Sequence, residues 1–342
     1  MAIRRKEITM RKIMVLGGGA WGTAISNLLA NNLSQNIYLW ALEREIVREI
    51  NEKNENSKFL PDINLSKKVI AVHSYEKIES DRIFIAAPSQ YIYNLIKNLY
   101  TLNQKRSFTA EITFILCSKG IDIKRKALLS NLIKEIYPKS KVLVLSGPTF
   151  AKTLAQKKPT AATLAFKEKK IGIEVSKMLC NDYFKIYTTR DVIGVQINGT
   201  LKNVLALAAG ITEGSDLGEN ARAAIITRGI QEIVRVVVSL GGKKETVFGL
   251  SGLGDLVLTA TDNQSRNRQL GLKIAELNDV SKALESVGKL AEGYKTSQAL
   301  DRSKQINSEN YPIMHEIIEI LLRSRKPSEA LTRLLSRELR LE

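Results

Sequence analysis

Cysteine is scarce. The 342 residues hold two, Cys117 and Cys180, in neither a C-x-x-C motif nor a Cys/His ligand spacing. A disulfide framework and a structural metal site are thereby excluded, and both thiols are expected to be small core side chains in a reducing compartment. Histidine is as rare: His73 lies in a strand-like Val-His-Ser stretch and His315 in a helix-like run, and a structural role is expected for each. No apolar signal core is present, since Met1 to Met10 is charged; that segment is expected to be a disordered basic arm of a cytoplasmic protein. An unbroken apolar span is missing too. The longest uncharged run, Ile13 to Leu42, is interrupted by Gly17-Gly18-Gly19 and by the polar stretch Asn31 to Asn36, so it does not cross a bilayer. Neither an internal repeat nor a low-complexity linker divides the chain. Acid is deficient: 35 Asp and Glu against 52 Lys and Arg leave a net charge of +17. That sign favours anionic ligands without choosing among phosphates, nucleic acid and membrane.

What is present describes a globular chain. Hydrophobic residues make up 44% and charged residues 25%, far from the composition of disorder. At roughly 150 residues per domain, the length predicts two domains.

Short apolar runs alternate with helical periodicity through the first half. Ile13-Met14-Val15-Leu16 reads as a buried strand, followed by glycines and a helix over Ala24 to Ala30, then a strand at Ile37-Tyr38-Leu39-Trp40. Further strands are predicted at Arg82–Ala87, Ile112–Leu116 and Val142–Leu145. This βαβ rhythm predicts a Rossmann-type, doubly wound, mostly parallel α/β sheet. After about Arg190 no run looks like a buried strand, and helical spacing governs Val195–Ala209, Ala221–Leu240, Gln269–Ala275 and Ile313–Leu322. A dinucleotide-binding domain over 1–190 and an all-helical substrate domain over 191–342 are expected, with the boundary near Asp191.

Gly17, Gly19 and Gly22 form G-x-G-x-x-G directly between a predicted strand and helix. In that setting the first glycine makes the tight turn, the second admits a pyrophosphate to the backbone and the third lets helix and strand pack closely. The helix N-terminus then offers unpaired N–H groups to the phosphates. Beyond the second strand, Glu43 could bind a ribose 2′-hydroxyl and Arg44 could accept a 2′-phosphate, which leaves NAD and NADP both open. Loops after the next strands read Pro88-Ser89-Gln90, Ser118-Lys119-Gly120 and Ser146-Gly147-Pro148-Thr149-Phe150. Lys119, directly after an apolar strand, aims an ammonium into the crevice where open α/β sheets bind ligands.

Two charges stand alone in the helical half. From Val192 to Thr212 the only ionisable side chain is Lys202, and an ammonium in such company needs a partner or a shifted pKa. Asn198, one turn earlier on the same face, could share its partner or ligand. Asp255 is the sole charge between Thr246 and Thr261, at the end of Gly249-Leu250-Ser251-Gly252-Leu253-Gly254. It reads either as a helix cap or as the counter-ion of a buried lysine. The run Asp262 to Arg268 is dense in donors that suit phosphate oxygens.

Seven stretches in order resemble the bacterial NAD(P)-dependent glycerol-3-phosphate dehydrogenases: residues 17–24 (Gly-Gly-Gly-Ala-Trp-Gly-Thr-Ala), 118–121 (Ser-Lys-Gly-Ile), 146–152 (Ser-Gly-Pro-Thr-Phe-Ala-Lys), 201–204 (Leu-Lys-Asn-Val), 252–256 (Gly-Leu-Gly-Asp-Leu), 261–268 (Thr-Asp-Asn-Gln-Ser-Arg-Asn-Arg) and 292–294 (Glu-Gly-Tyr). The resemblance covers nearly the whole chain. It implies reversible transfer of a hydride between NADH or NADPH and dihydroxyacetone phosphate, giving sn-glycerol 3-phosphate for phospholipid synthesis. It implies that Lys202 is the proton-transfer group, with Lys119 and Asp255 beside it. Substrate contacts are implied for Lys119, Gly147, Thr149, Lys202, Asp255, Ser265, Arg266 and Asn267. Cofactor contacts are implied for Gly17, Gly19, Ala20, Trp21, Gly22, Lys119, Ala151, Arg266, Leu290 and Glu292. Relatives often carry a basic residue or His where this chain has Leu42, and a valine where it has Ala291. No metal, nucleic-acid partner or membrane span is expected, and a homodimer is allowed.

Two other readings share parts of this sequence. A two-domain dehydrogenase of a carboxylate substrate would keep the glycine turn and helical half but would not need Ser265-Arg266-Asn267 beside Lys202. A dinucleotide-sensing, DNA-binding regulator would use the +17 charge and would need neither Lys202 nor Asp255.

Overall fold

The computed structural model describes residues 12–337 apart from 77, 109, 289, 290, 304 and 305. The expected basic arm and Leu290 lie outside the described residues. Among the described residues ten strands form: β1 (Ile13–Leu16), β2 (Ile37–Trp40), β3 (Val69–Val72), β4 (Arg82–Ile85), β5 (Thr113–Leu116), β6 (Ile121–Asp122), β7 (Ala127–Leu128), β8 (Lys141–Ser146), β9 (Thr160–Ala165) and β10 (Phe184–Thr189). Helices α1 (Ala20–Leu33), α2 (Arg44–Lys53), α3 (Ile92–Lys105), α4 (Leu129–Ile136), α5 (Ala151–Ala155) and α6 (Lys169–Leu179) lie between them. Past Thr189 the described residues hold helices and no strand: α7 (Val192–Gly214), α8 (Gly218–Ser239), α9 (Lys244–Val247), α10 (Asp255–Thr261), α11 (Arg266–Leu277), α12 (Val280–Val287), α13 (Glu292–Ser303), α14 (Pro312–Arg323) and α15 (Pro327–Leu335).

Eight strands make one sheet in the order β10-β9-β8-β5-β4-β1-β2-β3. Every pairing is parallel except β8 with β9. The strand order reverses at β1, which pairs with β2 on one side (Leu16 opposite Trp40) and β4 on the other (Leu16 opposite Ile85). A crevice outside the carboxyl ends of the strands at such a switch point is where open α/β sheets take ligands. Alternate side chains feed two cores: Ile13 and Val15 join one face with α1 and α6, while Met14 and Leu16 join the other with α3 and α4.

Five strands escaped the sequence reading: the two-residue β6 and β7 of a separate small sheet, and three of the main sheet, for separable reasons. β3 is four residues long and buried on alternate positions only. β9, Thr-Ala-Ala-Thr-Leu-Ala, lacks the branched run that marks a buried strand, and its neighbours supply the packing. β10 is an edge strand in which Lys185 and Tyr187 face solvent, so it never reads as apolar. The expectation for Cys180 also fails. Cys117 is buried, but Cys180 is exposed at the C-cap of α6, where the backbone has turned extended and leaves the apolar face of the helix.

The helical half is organised around α7. This helix is long and apolar enough to span a bilayer, yet 94% of its most apolar window is covered by other parts of the molecule, as befits a helix hydrophobic on all sides. Asp191 caps it, accepting from Gly194 N at 2.8 Å and, through its second oxygen, from Lys243 N at 2.8 Å. α11 crosses α7 at close range through two glycines. A Cβ on Gly210 would lie 2.1 Å from Arg268 O, and one on Gly271 would lie 2.3 Å from Leu207 O.

That contact is backbone against backbone, so an added methyl cannot be accommodated cheaply. Gly271→Ala is expected to lower the unfolding free energy by about 1–3 kcal/mol, the usual cost of overpacking, as measured by urea unfolding. An unchanged midpoint would show that α7 and α11 can separate freely.

Candidate active site

The glycine turn has the geometry of a phosphate cradle. Gly17 has φ +123°, and a Cβ there would lie 2.8 Å from the backbone of Ala86, directly after β4. A Cβ at Gly22 would lie 1.8 Å from Gly17 O, so helix and turn touch backbone to backbone. At Gly19 nothing lies within 4 Å of that position, which leaves the approach to the backbone open. α1 begins at Ala20 with no side-chain cap and no acid in its first turn, so its first N–H groups and dipole meet no competing carboxylate of their own turn. Trp21, half-buried, packs on the adjoining core, and the Cys117 thiol behind the turn is held in its neutral form by burial. These residues fit a dinucleotide diphosphate.

Across the crevice, three charged side chains from three elements converge. Lys119 follows β5, Lys202 projects from the middle of α7, and Asp255 opens α10 after a π-helical turn at Leu250–Gly254. Lys202 Nζ lies 2.6 Å from Asp255 Oδ1, and Lys119 Nζ lies 2.6 Å from Asp255 Oδ2. Lys202 also donates to Thr259 Oγ1, whose hydroxyl donates to Asp255 O at 2.6 Å. Lys119 reaches Gly147 O at 3.3 Å. Asp255 is therefore the counter-ion of two lysines. Lys202 is 6% exposed and Asp255 1%, whereas the Lys119 side chain is 22% exposed at the mouth of the group.

Burial settles the balance of forces on Lys202 that the sequence left unranked. Desolvation is the largest influence and lowers its pKa to about 7; Lys119 pushes the same way, and Asp255 resists without prevailing. A buried amine that exchanges its proton near neutrality can act as an acid in one direction and a base in the other.

The remaining candidate residues surround this group. Gly147, at φ +155°, lets β8 turn with its backbone against Ala162, and Thr149 Oγ1 donates to its carbonyl at 3.2 Å. Ala151 starts α5 and is half-buried. Ser265 caps α11 by accepting from Arg268 N at 3.2 Å. Asn267 donates to Asn203 Oδ1 and accepts from Gly293 N, both at 2.9 Å, tying α7, α11 and α13 together. Of the donor-rich run, Arg268 is buried and holds Glu213 and Asn263, so it is a structural strut. Arg266 is exposed at the first position of α11. Glu292 is bound to the loop after β4, accepting from Ser89 Oγ at 2.8 Å and Ser89 N at 3.3 Å. Its burial raises its pKa.

Asn198 does not share the partner of Lys202. Its Nδ2 instead reaches Thr246 O at 3.0 Å and Ser251 Oγ at 3.4 Å, because the turn leading to Asp255 packs against that face of α7. Three participants were missed. Thr259 lies one turn after Asp255, a spacing that could have exposed it. Asn203 and Thr200 are recognisable only in three dimensions; Thr200 Oγ1 accepts from Gly120 N at 3.2 Å, fixing the loop that carries Lys119.

Removing one partner of a buried pair leaves an uncompensated charge. In Asp255→Asn the pKa of Lys202 is expected to fall below 7, so the variant's deficit in unfolding free energy is largest at acid pH and shrinks as pH rises through 7. Denaturant titrations at pH 6 and pH 9 check this; a deficit equal at both would show that Asp255 does not hold the charged form of Lys202.

Comparison with known proteins covers both halves. Residues 12–172 match the family described as NAD-dependent glycerol-3-phosphate dehydrogenase N-terminus, and residues 191–332 match the corresponding C-terminus. The chain is 36% identical over 337 residues to the glycerol-3-phosphate dehydrogenase (NAD(P)+) of Citrifermentans bemidjiense, across 97% of this chain and 98% of the relative. It is 34% identical to that of Clostridium tetani, across 98% and 95%. The solved glycerol-3-phosphate dehydrogenase of Coxiella burnetii superposes with a TM-score of 0.89 at 34% identity, over 96% of this chain and 99% of that one.

Proposed function

The chain belongs to the NAD-dependent glycerol-3-phosphate dehydrogenase family, and from that premise we propose how its own residues carry the reaction. It is an NAD(P)-dependent oxidoreductase interconverting dihydroxyacetone phosphate and glycerol 3-phosphate, a reaction at the entry to glycerophospholipid synthesis. Lys202 is the proton donor to the ketone oxygen in reduction and the acceptor in oxidation. The observation that carries this reading is an amine on a buried helix, lowered to about 7 and facing the carboxyl ends of the strands beside Lys119.

When bound, the reduced nicotinamide supplies the hydride that reduces the ketone carbon. As negative charge grows on the carbonyl oxygen, Lys202 transfers its proton there, and general acid catalysis of this kind contributes about 10²–10⁴ in rate. Lys119, at the mouth of the site, adds a positive field that stabilises the same developing charge. Asp255 holds the two ammoniums in position despite their mutual repulsion, and Thr259 fixes the direction of Lys202. The neutral amine left behind is reprotonated from solvent.

The substrate phosphate is assigned to the start of α11. Ser265 and Asn267 have their side chains engaged in capping and tethering, so they shape the corner, and Arg266 supplies the exposed charge beside the helix N-terminus. Gly147 and Thr149 form the facing wall. Gly17, Gly19, Ala20, Trp21 and Gly22 hold the dinucleotide with Ala151, Lys119 and Glu292, the last reaching in from the helical half. We place the division between dinucleotide-binding and substrate domains at Asp191, and the protein in the cytoplasm, where two unpaired thiols are stable.

The sign of the pH dependence follows from which form of Lys202 works. Reduction needs the protonated amine, so kcat/KM for dihydroxyacetone phosphate should fall as pH rises through about 7; oxidation needs the neutral amine and should rise over the same range. Steady-state profiles in both directions test this, and flat profiles between pH 6 and 8 would remove Lys202 from proton transfer. Lys202→Ala should abolish turnover with dinucleotide binding nearly intact; an active variant would overturn the assignment. Arg266→Ala should chiefly raise KM for the phosphorylated ketone, by roughly tenfold or more for a lost charge-assisted contact, and an unchanged KM would place the phosphate elsewhere.

A further inference from the structure

The carboxyl end of β2 presents a surface of uneven chemistry beside the glycine turn. Ala41 is buried there: a Cβ at Gly18 would fall 2.4 Å from its own Cβ, so Ala41 floors the turn and has no polar atom to offer. Leu42 follows with 67% of its surface exposed, an apolar side chain standing uncovered at the rim. Glu43 comes next, at the N-cap of α2, with extended backbone (φ −82°, ψ 123°) and a carboxylate that makes no capping bond. The neighbouring segment is fixed to the same turn, since buried Asn56 donates to Gly18 O at 2.9 Å and to Thr23 Oγ1 at 2.8 Å. Two residues on, Lys58 Nζ lies 3.8 Å from Glu43 Oε1. One carboxylate, within 3.8 Å of a single exposed lysine, thus stands next to the turn where a dinucleotide's adenosine ribose ends.

We propose that Leu42 and Glu43 make this enzyme selective for NAD(H) over NADP(H). The inference rests on the reading of the glycine turn as the dinucleotide site. Leu42 gives the adenosine an apolar surface to lie against, and Glu43 accepts a hydrogen bond from the ribose 2′-hydroxyl. A 2′-phosphate would face the Glu43 carboxylate at close range and would have to draw Lys58 away from it. Arg44, exposed at the first position of α2, is the next residue, and on this proposal Glu43 outweighs it. Discrimination then comes from a repulsive element as well as an attractive one, the usual construction of a specific site.

The test is equilibrium binding of NADH and NADPH, followed by nicotinamide fluorescence without substrate, for the wild-type chain, Glu43→Gln and Leu42→Arg. Wild type should bind NADH about tenfold tighter or more, the order expected for setting a phosphate against a carboxylate at a wet surface. Glu43→Gln should narrow that ratio, and Leu42→Arg should tighten NADPH by about tenfold by supplying the missing base. Equal or tighter binding of NADPH by wild type, or a ratio unmoved by Glu43→Gln, overturns the proposal while leaving the dinucleotide site intact. Failure of both dinucleotides to bind would refute the site itself, and this inference with it.

Discussion

One carboxylate is shared by two ammoniums that arrive from opposite sides of a crevice. Asp255 is almost wholly buried and gives one oxygen to Lys202 of the helical half and the other to Lys119 of the sheet. A lysine on α7 without it would be a bare charge inside a hydrophobic helix bundle, and two lysines without it would repel each other out of register. With it, the two halves of the molecule are pinned where the chemistry occurs. The group carries net positive charge toward the crevice, which suits a phosphorylated substrate whose carbonyl oxygen becomes anionic.

The rest of the architecture serves that placement. β1, β4, β5 and β8 run parallel, so the loops after them open at one end of the sheet. α7 is buried on nearly every face, which gives Lys202 the desolvation that lowers its pKa. Glu292 with Ser89, and Thr200 with Gly120, add further ties between helical half and sheet. Glycine does the close work: at Gly17 and Gly22 it lets turn and helix meet, and at Gly210 and Gly271 it lets α11 approach α7 so that Arg266 starts its helix near the group.

Much of this was legible before any coordinates. The glycine turn, the first strands and the helical second half follow from hydrophobic periodicity, because a buried parallel strand and a buried helix leave distinct apolar spacings. Lys202 and Asp255 stood out because each is a lone charge in an apolar stretch, and lone buried charges need partners. What stayed hidden depends on neighbours distant in sequence. β9 lacks a branched apolar run since the sheet supplies its packing, β10 lacks one because an edge strand turns Lys185 and Tyr187 to solvent, and Asn203 and Thr200 look like ordinary helix residues until α13 and the Lys119 loop are set beside them. Helical spacing puts Asn198 on the face of Lys202, where it could share a partner or ligand, but spacing gives only the face, and Asn198 Nδ2 is taken by Thr246 and Ser251.

The central claim is that burial, opposed by a shared carboxylate, leaves the Lys202 amine titrating near neutrality. The most direct measurement is an NMR titration of the protein carrying 13C-labelled lysine, with the Lys202 signal identified by its loss in Lys202→Met. One side-chain signal should titrate with a midpoint near 7 and vanish in that variant. If the signal lost in the variant titrates instead near 10.5, as an ordinary lysine does, the account is contradicted.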